Sequence, residues 1–120
     1  MPIIDIEFVQ ERPGPIETTL AKKLADALGE VFAARPGKIW VRLRELSYGA
    51  YAENGVAKPP KPVFVRVLAS GPPEGKEIEA RLAAIAEVVA HHCKRPLESI
   101  HVVFEPAAKG RIAFGGKISK

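Results

Sequence analysis

A pattern of strand, helix and strand occurs twice along this chain, and it restricts the possible folds more than any other feature. In the first half, an apolar run over residues 3–9 precedes leucines at helical spacing and an alternating segment that begins at Ile39. In the second half, an apolar run over residues 62–69 precedes a second helical stripe and an alternating segment that begins at Ile100. The chain is therefore predicted to contain two β-α-β units.

The spacing of the prolines indicates that the two units arose by internal duplication. Pro2 and Pro62 are sixty residues apart, and so are Pro36 and Pro96. The glycines that follow each second strand also align, with one residue of slippage. We interpret residues 1–120 as a single domain made of two internal repeats, residues 1–60 and 61–120.

Two such units predict an α+β fold. Each β-α-β unit needs a crossover connection that leaves its strands parallel, so tandem units form one four-stranded sheet with both helices on one face. The uncovered face would carry a mixture of aromatic, charged and apolar side chains. We expect that face to be buried against other copies of the chain. Its predicted members are Trp40, Arg42, Arg44, His101 and Val103.

Composition narrows the classes of partner. The net charge of +4 is spread along the chain without a long basic run, so neither nucleic acid nor a membrane surface is an expected partner. The one cysteine favours a reducing compartment, and no apolar stretch is long enough for a signal or membrane segment, so a cytoplasmic location is expected. No Cys/His/acid cluster has ligand spacing, so no metal site is predicted.

Several stretches together resemble the tautomerase superfamily, which includes 4-oxalocrotonate tautomerase and macrophage migration inhibitory factor. The opening, Pro2 followed by Ile-Ile-Asp-Ile, resembles the start of the short tautomerases. The stretches at residues 95–102 and 108–116 resemble their second strand and closing hairpin. The resemblance covers essentially the whole chain. It implies the tautomerase fold, a homotrimer of fused units, and chemistry without a cofactor.

The resemblance also implies a reaction. Pro2, exposed as a secondary amine after removal of Met1, would act as general base in the keto–enol tautomerisation of a small 2-oxo acid or its enol. Arg12 matches the carboxylate-binding arginine of the short tautomerases, and Arg35 matches a basic residue of the migration inhibitory factor branch. His101 would donate a hydrogen bond to the substrate from a neighbouring subunit.

The remaining candidates are predicted to line the substrate pocket. Trp40 and His101 replace a family arginine, and Tyr51 matches the hairpin aromatic. In fused members the second unit contributes most of the site around the N-terminal proline, so Arg12, Tyr51 and Glu53 could instead line a pseudo-site beside Pro62. The second-unit wall is apolar and favours an aryl or alkyl enol over a dicarboxylate. The predicted lining residues are Arg35, Trp40, Tyr51, Glu53, Ile112 and Phe114.

Two other functions remain open from the sequence. The first hairpin is similar to that of trans-3-chloroacrylic acid dehalogenase, in which the acid matching Glu53 activates water, so a hydratase or dehalogenase of unsaturated acids is one alternative. The order β-α-β-β-α-β also describes ferredoxin-like modules, so a non-catalytic ligand-binding domain is another.

Overall fold

The computed structural model describes residues 2–12 and 14–119, and its elements follow the predicted order. The first unit contains β1 (Ile3–Gln10), α1 (Leu20–Val31) and β2 (Trp40–Ser47). The second contains β3 (Val63–Leu68), α2 (Lys76–Cys93) and β4 (Ile100–Phe104). A short hairpin, β5 (Ala113–Phe114) and β6 (Lys117–Ile118), follows. Single 3-10 turns at Tyr48–Ala50 and Leu97–Ser99 flank the second strands.

The four long strands form one sheet in the order β2-β1-β3-β4. Within each unit the two strands are adjacent and parallel, and the units join through the antiparallel pair β1–β3. A ferredoxin-like sheet would split each β-α-β unit by inserting another strand between its two strands. The adjacent parallel pairs rule out that topology for this chain. The predicted α+β fold is therefore confirmed.

Both helices pack on one face of the sheet and bury the core there. Alternate side chains of the two central strands point to the helices, because successive residues of a strand face opposite sides. Leu24 and Leu28 of α1 and Ile85 and Val89 of α2 are fully buried against them. The strand residues in this core are Ile4, Ile6, Phe8, Val63, Val65, Val67 and Ile100.

Among the described residues, no helix covers the other face of the sheet. Arg42 donates two hydrogen bonds to the Asp5 carboxylate, at 2.6 and 2.8 Å, and Arg66 donates one to Glu105 at 2.6 Å. Val103 of β4, which pairs with Arg66 in the β3–β4 register, is 46% exposed. This open face forms a shallow depression of about 450 Å³.

The structural repeat is sixty-one residues long, one more than the proline spacing. Ala33 and Lys94 have the same left-handed conformation after their helices, with φ of 50° and 55°. The next amides make the same bonds, Ala34 N to Gly29 O and Arg95 N to Ala90 O. The buried helix pairs Leu24/Leu28 and Ile85/Val89 also differ by sixty-one. Under this register Pro2 corresponds to Val63, so Pro62 is not its structural counterpart.

Among the residues that the structure describes, no helix is both long and apolar enough to cross a membrane. The same residues contain no group of three or more histidines, cysteines and acids that could hold a metal ion.

Candidate active site

Pro2 lies directly before β1 and is buried. Its carbonyl oxygen accepts a hydrogen bond of 3.2 Å from the Trp40 amide, which extends the β1–β2 pairing by one residue. On the helix side, Pro2 lines a groove of about 580 Å³. The groove lies between the end of α1 and the loop that leads from β3 into α2. We call it the Pro2 groove; its side-chain lining includes Pro2, Phe32, Arg35, Lys38, Glu77 and Arg81.

The Pro2 groove is cationic. Arg35 and Lys38 approach it from the turn after α1, and Arg81 approaches it from α2. Glu77 is the one acid in its lining. Within residues 2–12 and 14–119, none of the three cations forms an ion pair at 4.0 Å or less. Their charge is therefore available to an anionic ligand.

Arg81 is held by an aromatic ring. Its guanidinium carbon lies 5.0 Å from the centroid of the Phe32 ring, within the range of a cation–π contact. Glu77, one helical turn earlier, is placed where an i,i+4 ion pair could form, but no such pair is present between these two described residues. The ring of Phe32 therefore positions this arginine in the groove.

Three other predicted residues lie near Pro2 but outside the groove. The rings of Trp40 and Phe114 meet edge to face with centroids 5.4 Å apart, and Trp40 Nε1 donates to Gly37 O at 2.9 Å. Ile112 lines a separate depression with Ile3 on the open face. These apolar side chains thus lie on the open-face side of the strand end, whereas the Pro2 groove lies on the helix side.

Arg12, Tyr51, Glu53 and His101 lie at the opposite end of the sheet. Arg12 follows the C-terminal end of the eight-residue strand β1, which at about 3.3 Å per residue separates it from Pro2 by more than ~25 Å. The ring of Phe64 is 6.1 Å from that of Tyr51 and 5.6 Å from that of His101. One chain therefore brings Pro2 together with Arg35 and does not bring it together with these four residues.

Tyr51 and Glu53 form a pair of their own. The Tyr51 hydroxyl donates a 2.5 Å hydrogen bond to Glu53 Oε2. That bond is the main reason that the pKa of Tyr51 is raised above its ordinary value, with burial and the Glu53 charge acting in the same direction. The bond favours the neutral phenol, so Tyr51 is a hydrogen-bond donor that is already occupied.

A second groove occupies the matched place in the other half. Phe8, Gln10, Ile16, Leu20, Cys93 and Arg95 line it, and each is sixty-one residues from a residue that lines the Pro2 groove. We call it the Arg95 groove. Arg95 donates hydrogen bonds of 2.9 Å to the carbonyl oxygens of Val9 and Lys61. Burial raises the pKa of the Cys93 thiol, so this thiol is not an activated nucleophile.

No family model matches this chain, and no curated protein matches it in sequence. Solved structures do match it along its length. A fused 4-OT that forms a symmetric trimer superposes with a TM-score of 0.76 at 19% identity, covering 98% of this chain and 94% of that one. The macrophage migration inhibitory factor of Oncomelania hupensis gives 0.76 at 19% identity, covering 100% and 83%. This chain has the tautomerase fold.

The same fold also accommodates other chemistry. A malonate semialdehyde decarboxylase inhibited by 3-bromopropiolate matches with a TM-score of 0.67 at 20% identity, covering 94% of this chain and 88% of that one. At such identities the likeness concerns the fold alone. The reaction of this tautomerase-fold chain must therefore be argued from its own residues.

Sequence reasoning missed Lys38 and Arg81. Arg81 follows Ile78 by three residues, so helical spacing places it at the border of the buried stripe of α2. That position is the available signal, because a long cationic side chain beside an apolar stripe is well placed to enter a groove at the helix edge. Lys38 lies in a turn without periodicity and carries no comparable signal.

Proposed function

We propose that this protein is a cofactor-independent keto–enol tautomerase of small 2-oxo acids, with Pro2 as the general base. One observation carries the proposal. On a tautomerase fold, Pro2 lines a groove that also contains Arg35, a group suited to bind a carboxylate. A base and a carboxylate-binding group in one groove are the two parts that proton transfer next to a 2-oxo acid requires.

The base requires removal of Met1. Removal would convert the Pro2 nitrogen from an amide into a secondary amine, and an ordinary α-amino group has a pKa of about 7.7–8.0. Burial of Pro2 and the neighbouring charges of Arg35, Lys38 and Arg81 all disfavour the ammonium form. We therefore expect the pKa of this amine to lie below the ordinary value, with free base present at neutral pH.

The reaction needs one base and no redox step. Pro2 takes the hydroxyl proton of the enol as the C–O double bond forms, and the carbon–carbon double bond shifts its electrons to the neighbouring carbon. The Pro2 ammonium then delivers the proton to that carbon and is again a free amine. Arg35 holds the carboxylate throughout, so the proton is transferred at a fixed geometry.

We further propose that the working form is a homotrimer built through the open face of the sheet. A symmetric trimer is the assembly of the fused 4-OT that this chain resembles in fold. Arg44 and Glu7 on the open face form no ion pair within the part of the chain that the structure describes, so they are available to another copy. A neighbouring copy would then supply His101 as a donor to the enol oxygen.

Hydration or dehalogenation through Glu53 is less well supported. Glu53 lies at the far end of its own chain, so like His101 it could reach Pro2 only from a neighbouring copy, and its carboxylate already accepts the hydrogen bond of Tyr51. Its counterpart sixty-one residues later, at the Pro2 end, is Phe114, which cannot activate water. The residues nearest Pro2 therefore favour tautomerisation.

The test compares two strand-opening prolines. After mass spectrometry has shown that Met1 is absent, Pro2→Ala should lower kcat on a phenylpyruvate-like enol by about 100-fold or more, the usual contribution of general acid–base catalysis. Pro62→Ala is the control for loss of a proline directly before a strand, because Pro62 precedes β3 but is no amine. It should keep most of the turnover. Equal turnover in wild type and Pro2→Ala, with the fold intact by circular dichroism, would exclude Pro2 as the base.

A further inference from the structure

One wall of the Pro2 groove is the segment of residues 69–73, which leads from β3 into α2. This wall segment is neither strand nor helix. Pro72 and Pro73 have no amide hydrogen to donate, and Gly71 has no side chain. The position of the wall segment therefore depends on the chain that lies beside it.

The stretch before the C-terminal hairpin binds the wall segment through its backbone. The Ala108 amide donates to the carbonyl oxygen of Ala69 at 2.9 Å, and both residues are buried. The Lys109 amide donates to the carbonyl oxygen of Ser70 at 3.4 Å, which is a long hydrogen bond. The attachment is thus firm at the start of the wall segment and weak one residue later, where the segment enters the groove.

A pair of serines reinforces the weak point. The hydroxyls of Ser70 and Ser119 are 3.1 Å apart and share a hydrogen bond, in which either oxygen can be the donor. Ser119 directly follows β6, and its backbone is held on both sides. Its amide donates to Ile112 O at 2.9 Å, and its carbonyl oxygen accepts from Gly110 N at 2.6 Å. A fixed residue of the hairpin therefore holds a side chain of the groove wall.

The other half of the molecule does not repeat this serine pair. Under the sixty-one-residue register, Ser70 corresponds to Val9 and Ser119 to Lys58, and neither of these carries a hydroxyl. In that half the Tyr48 hydroxyl donates to the carbonyl oxygen of Pro59 instead, so the loop after β2 is closed on itself. The repeated scaffold thus does not require the pair, which occurs in the half whose groove contains Pro2.

We propose that Ser119 is a positioning residue for the Pro2 groove, which acts through Ser70 to hold the wall segment in the conformation that binds substrate. This inference rests on the proposed function, since it takes the groove as the substrate site. A wall that is already ordered loses no further conformational freedom when a ligand binds. Without the serine bond, the ligand itself must order the wall. The loss of affinity is then limited to the free energy of that one hydrogen bond.

The first measurement needs no ligand. Hydrogen exchange at the Lys109 amide reports how often the wall segment separates from the stretch beside it, because this amide donates to Ser70 O. Exchange there should be about 2- to 10-fold faster in Ser119→Ala than in the wild type, the effect of losing one hydrogen bond. The Ala34 amide, which donates to Gly29 O after α1, is the internal reference and should exchange at the same rate in both proteins.

The second measurement is the affinity for oxamate. Oxamate has the carboxylate and the neighbouring carbonyl group of a 2-oxo acid but no hydrogen on carbon, so it cannot enolise. NMR titration of the full-length protein would follow the amide of Gly71, which lines the groove. The Kd for oxamate should rise by about 2- to 10-fold in Ser119→Ala, by no more than the serine bond contributes. Neither measurement involves proton transfer, so each stands even if Pro2→Ala shows that Pro2 is not the base.

Three further variants assign both effects to the serine pair. Ser119→Thr keeps the hydroxyl and should retain wild-type exchange and affinity. Ser119→Ala should add nothing in a Ser70→Ala background, because two residues that act through one bond are not additive. Ile118→Ala is the matched control for disturbing the hairpin, because Ile118 is the neighbouring residue, is 54% exposed and does not line the groove. It should change neither measurement.

Four outcomes would overturn the proposal. Unchanged exchange at Lys109 in Ser119→Ala would mean that the serine bond does not hold the wall segment. Faster exchange with an unchanged Kd for oxamate would mean that the wall takes no part in binding. Similar effects in Ser119→Ala and Ile118→Ala would indicate a general loosening of the hairpin. Wild-type protein that does not bind oxamate at Gly71 would leave the wall with no 2-oxo acid to position.

Discussion

The two grooves occupy matched places in the duplicated scaffold and use their cations in different ways. In the Arg95 groove, the guanidinium bonds the carbonyl oxygens of Val9 and Lys61 and thereby ties the end of α2 to the junction of β1 and β3. In the Pro2 groove, Arg35 has no ion-pair partner among the described residues. One half uses its arginine to hold the fold, whereas the cations of the Pro2 groove form no ion pair among the described residues.

This difference shows how two similar halves can carry different side chains on the same backbone. The sheet, the helices and the turns after them repeat, as the matched backbone bonds at Ala34 and Arg95 show. The side chains that would bind a substrate do not repeat. The second groove can therefore lose its ligand-binding groups while its backbone continues to support the first.

The largest expected difference between the two ends of the sheet is in binding of the substrate carboxylate. Arg35→Ala should raise KM for a 2-oxo acid by about 10- to 100-fold and leave KM for its uncharged ester unchanged, because a charge-assisted hydrogen bond contributes about 1.5–3 kcal/mol. Arg12→Ala should change neither KM, since Arg12 lies at the far end of β1. Steady-state kinetics of both variants with acid and ester measures this. A selective penalty in Arg12→Ala alone would assign the carboxylate to Arg12, supplied by a neighbouring copy as proposed for His101, and would exclude Arg35.

In the free energy of unfolding, the larger effect is expected in the Arg95 groove. Arg95→Ala should lower the free energy of unfolding by about 1–3 kcal/mol, because two partly buried carbonyl oxygens lose their donor. Arg35→Ala removes an exposed side chain and should change it by no more than about 0.5 kcal/mol. Urea unfolding of the two variants tests the contrast. Equal decreases in the free energy of unfolding would show that Arg95 and Arg35 contribute equally to stability.

Periodicity predicted the fold but not the repeat register. The alternation of buried residues, Ile4 and Ile6 in β1 and Val63 and Val65 in β3, requires an odd spacing, since a shift of one residue turns every side chain to the other face. The proline spacing is an even number and predicted a repeat of sixty residues instead. Pro2 therefore corresponds to Val63 rather than to Pro62, and the pseudo-site beside Pro62 stays a prediction.

The site was harder to predict than the fold, for a physical reason. Arg81 lines the same groove as Pro2 because the loop from β3 to α2 places the edge of α2 beside the start of β1. The path of such a loop cannot be predicted from hydrophobic periodicity, because a loop has none. Arg12 and Arg35 could be nominated from the resemblance, but choosing between them requires knowing which end of β1 each one flanks. The structure supplies that fact: Arg35 lies at the Pro2 end and Arg12 at the other.

A smaller difference is expected between two positions of the β5–β6 hairpin. Phe114→Ala removes the edge-to-face contact with Trp40 and should lower the free energy of unfolding by about 0.5–1.5 kcal/mol beyond the lost apolar area. The emission of Trp40, the one tryptophan of the chain, should shift to longer wavelength as its ring gains solvent. Ile118→Ala in the same hairpin is the control, because Ile118 is already 54% exposed and should leave the emission unchanged. A shift of similar size in both variants would mean that the whole hairpin has loosened.

The smallest expected difference concerns pH. His92 lines the Arg95 groove, and its sixty-one-residue counterpart is Val31, so only this half carries a titratable group at that place. Burial lowers the pKa of His92, and the charges of His91 and Lys23 lower it further. The unfolded chain therefore binds a proton more readily than the native one. The stability that neutral, buried His92 contributes is therefore fully present above the ordinary histidine pKa of about 6.5. It is lost as pH falls through the lower pKa of the native state.

His92→Gln should abolish a small decrease in stability below pH 6.5, which urea midpoints between pH 5 and pH 8 would reveal. NMR titration of the His92 ring gives the more direct reading and should place its midpoint below the ordinary value. His91→Gln is the control that separates the two causes. It removes one charge and leaves the burial, so the midpoint of His92 should rise only part of the way. A wild-type midpoint for His92 at or above the ordinary value would show that its ring is as solvated as in an unfolded chain. The presence of His92 where the other half has Val31 would then make no difference to how stability depends on pH.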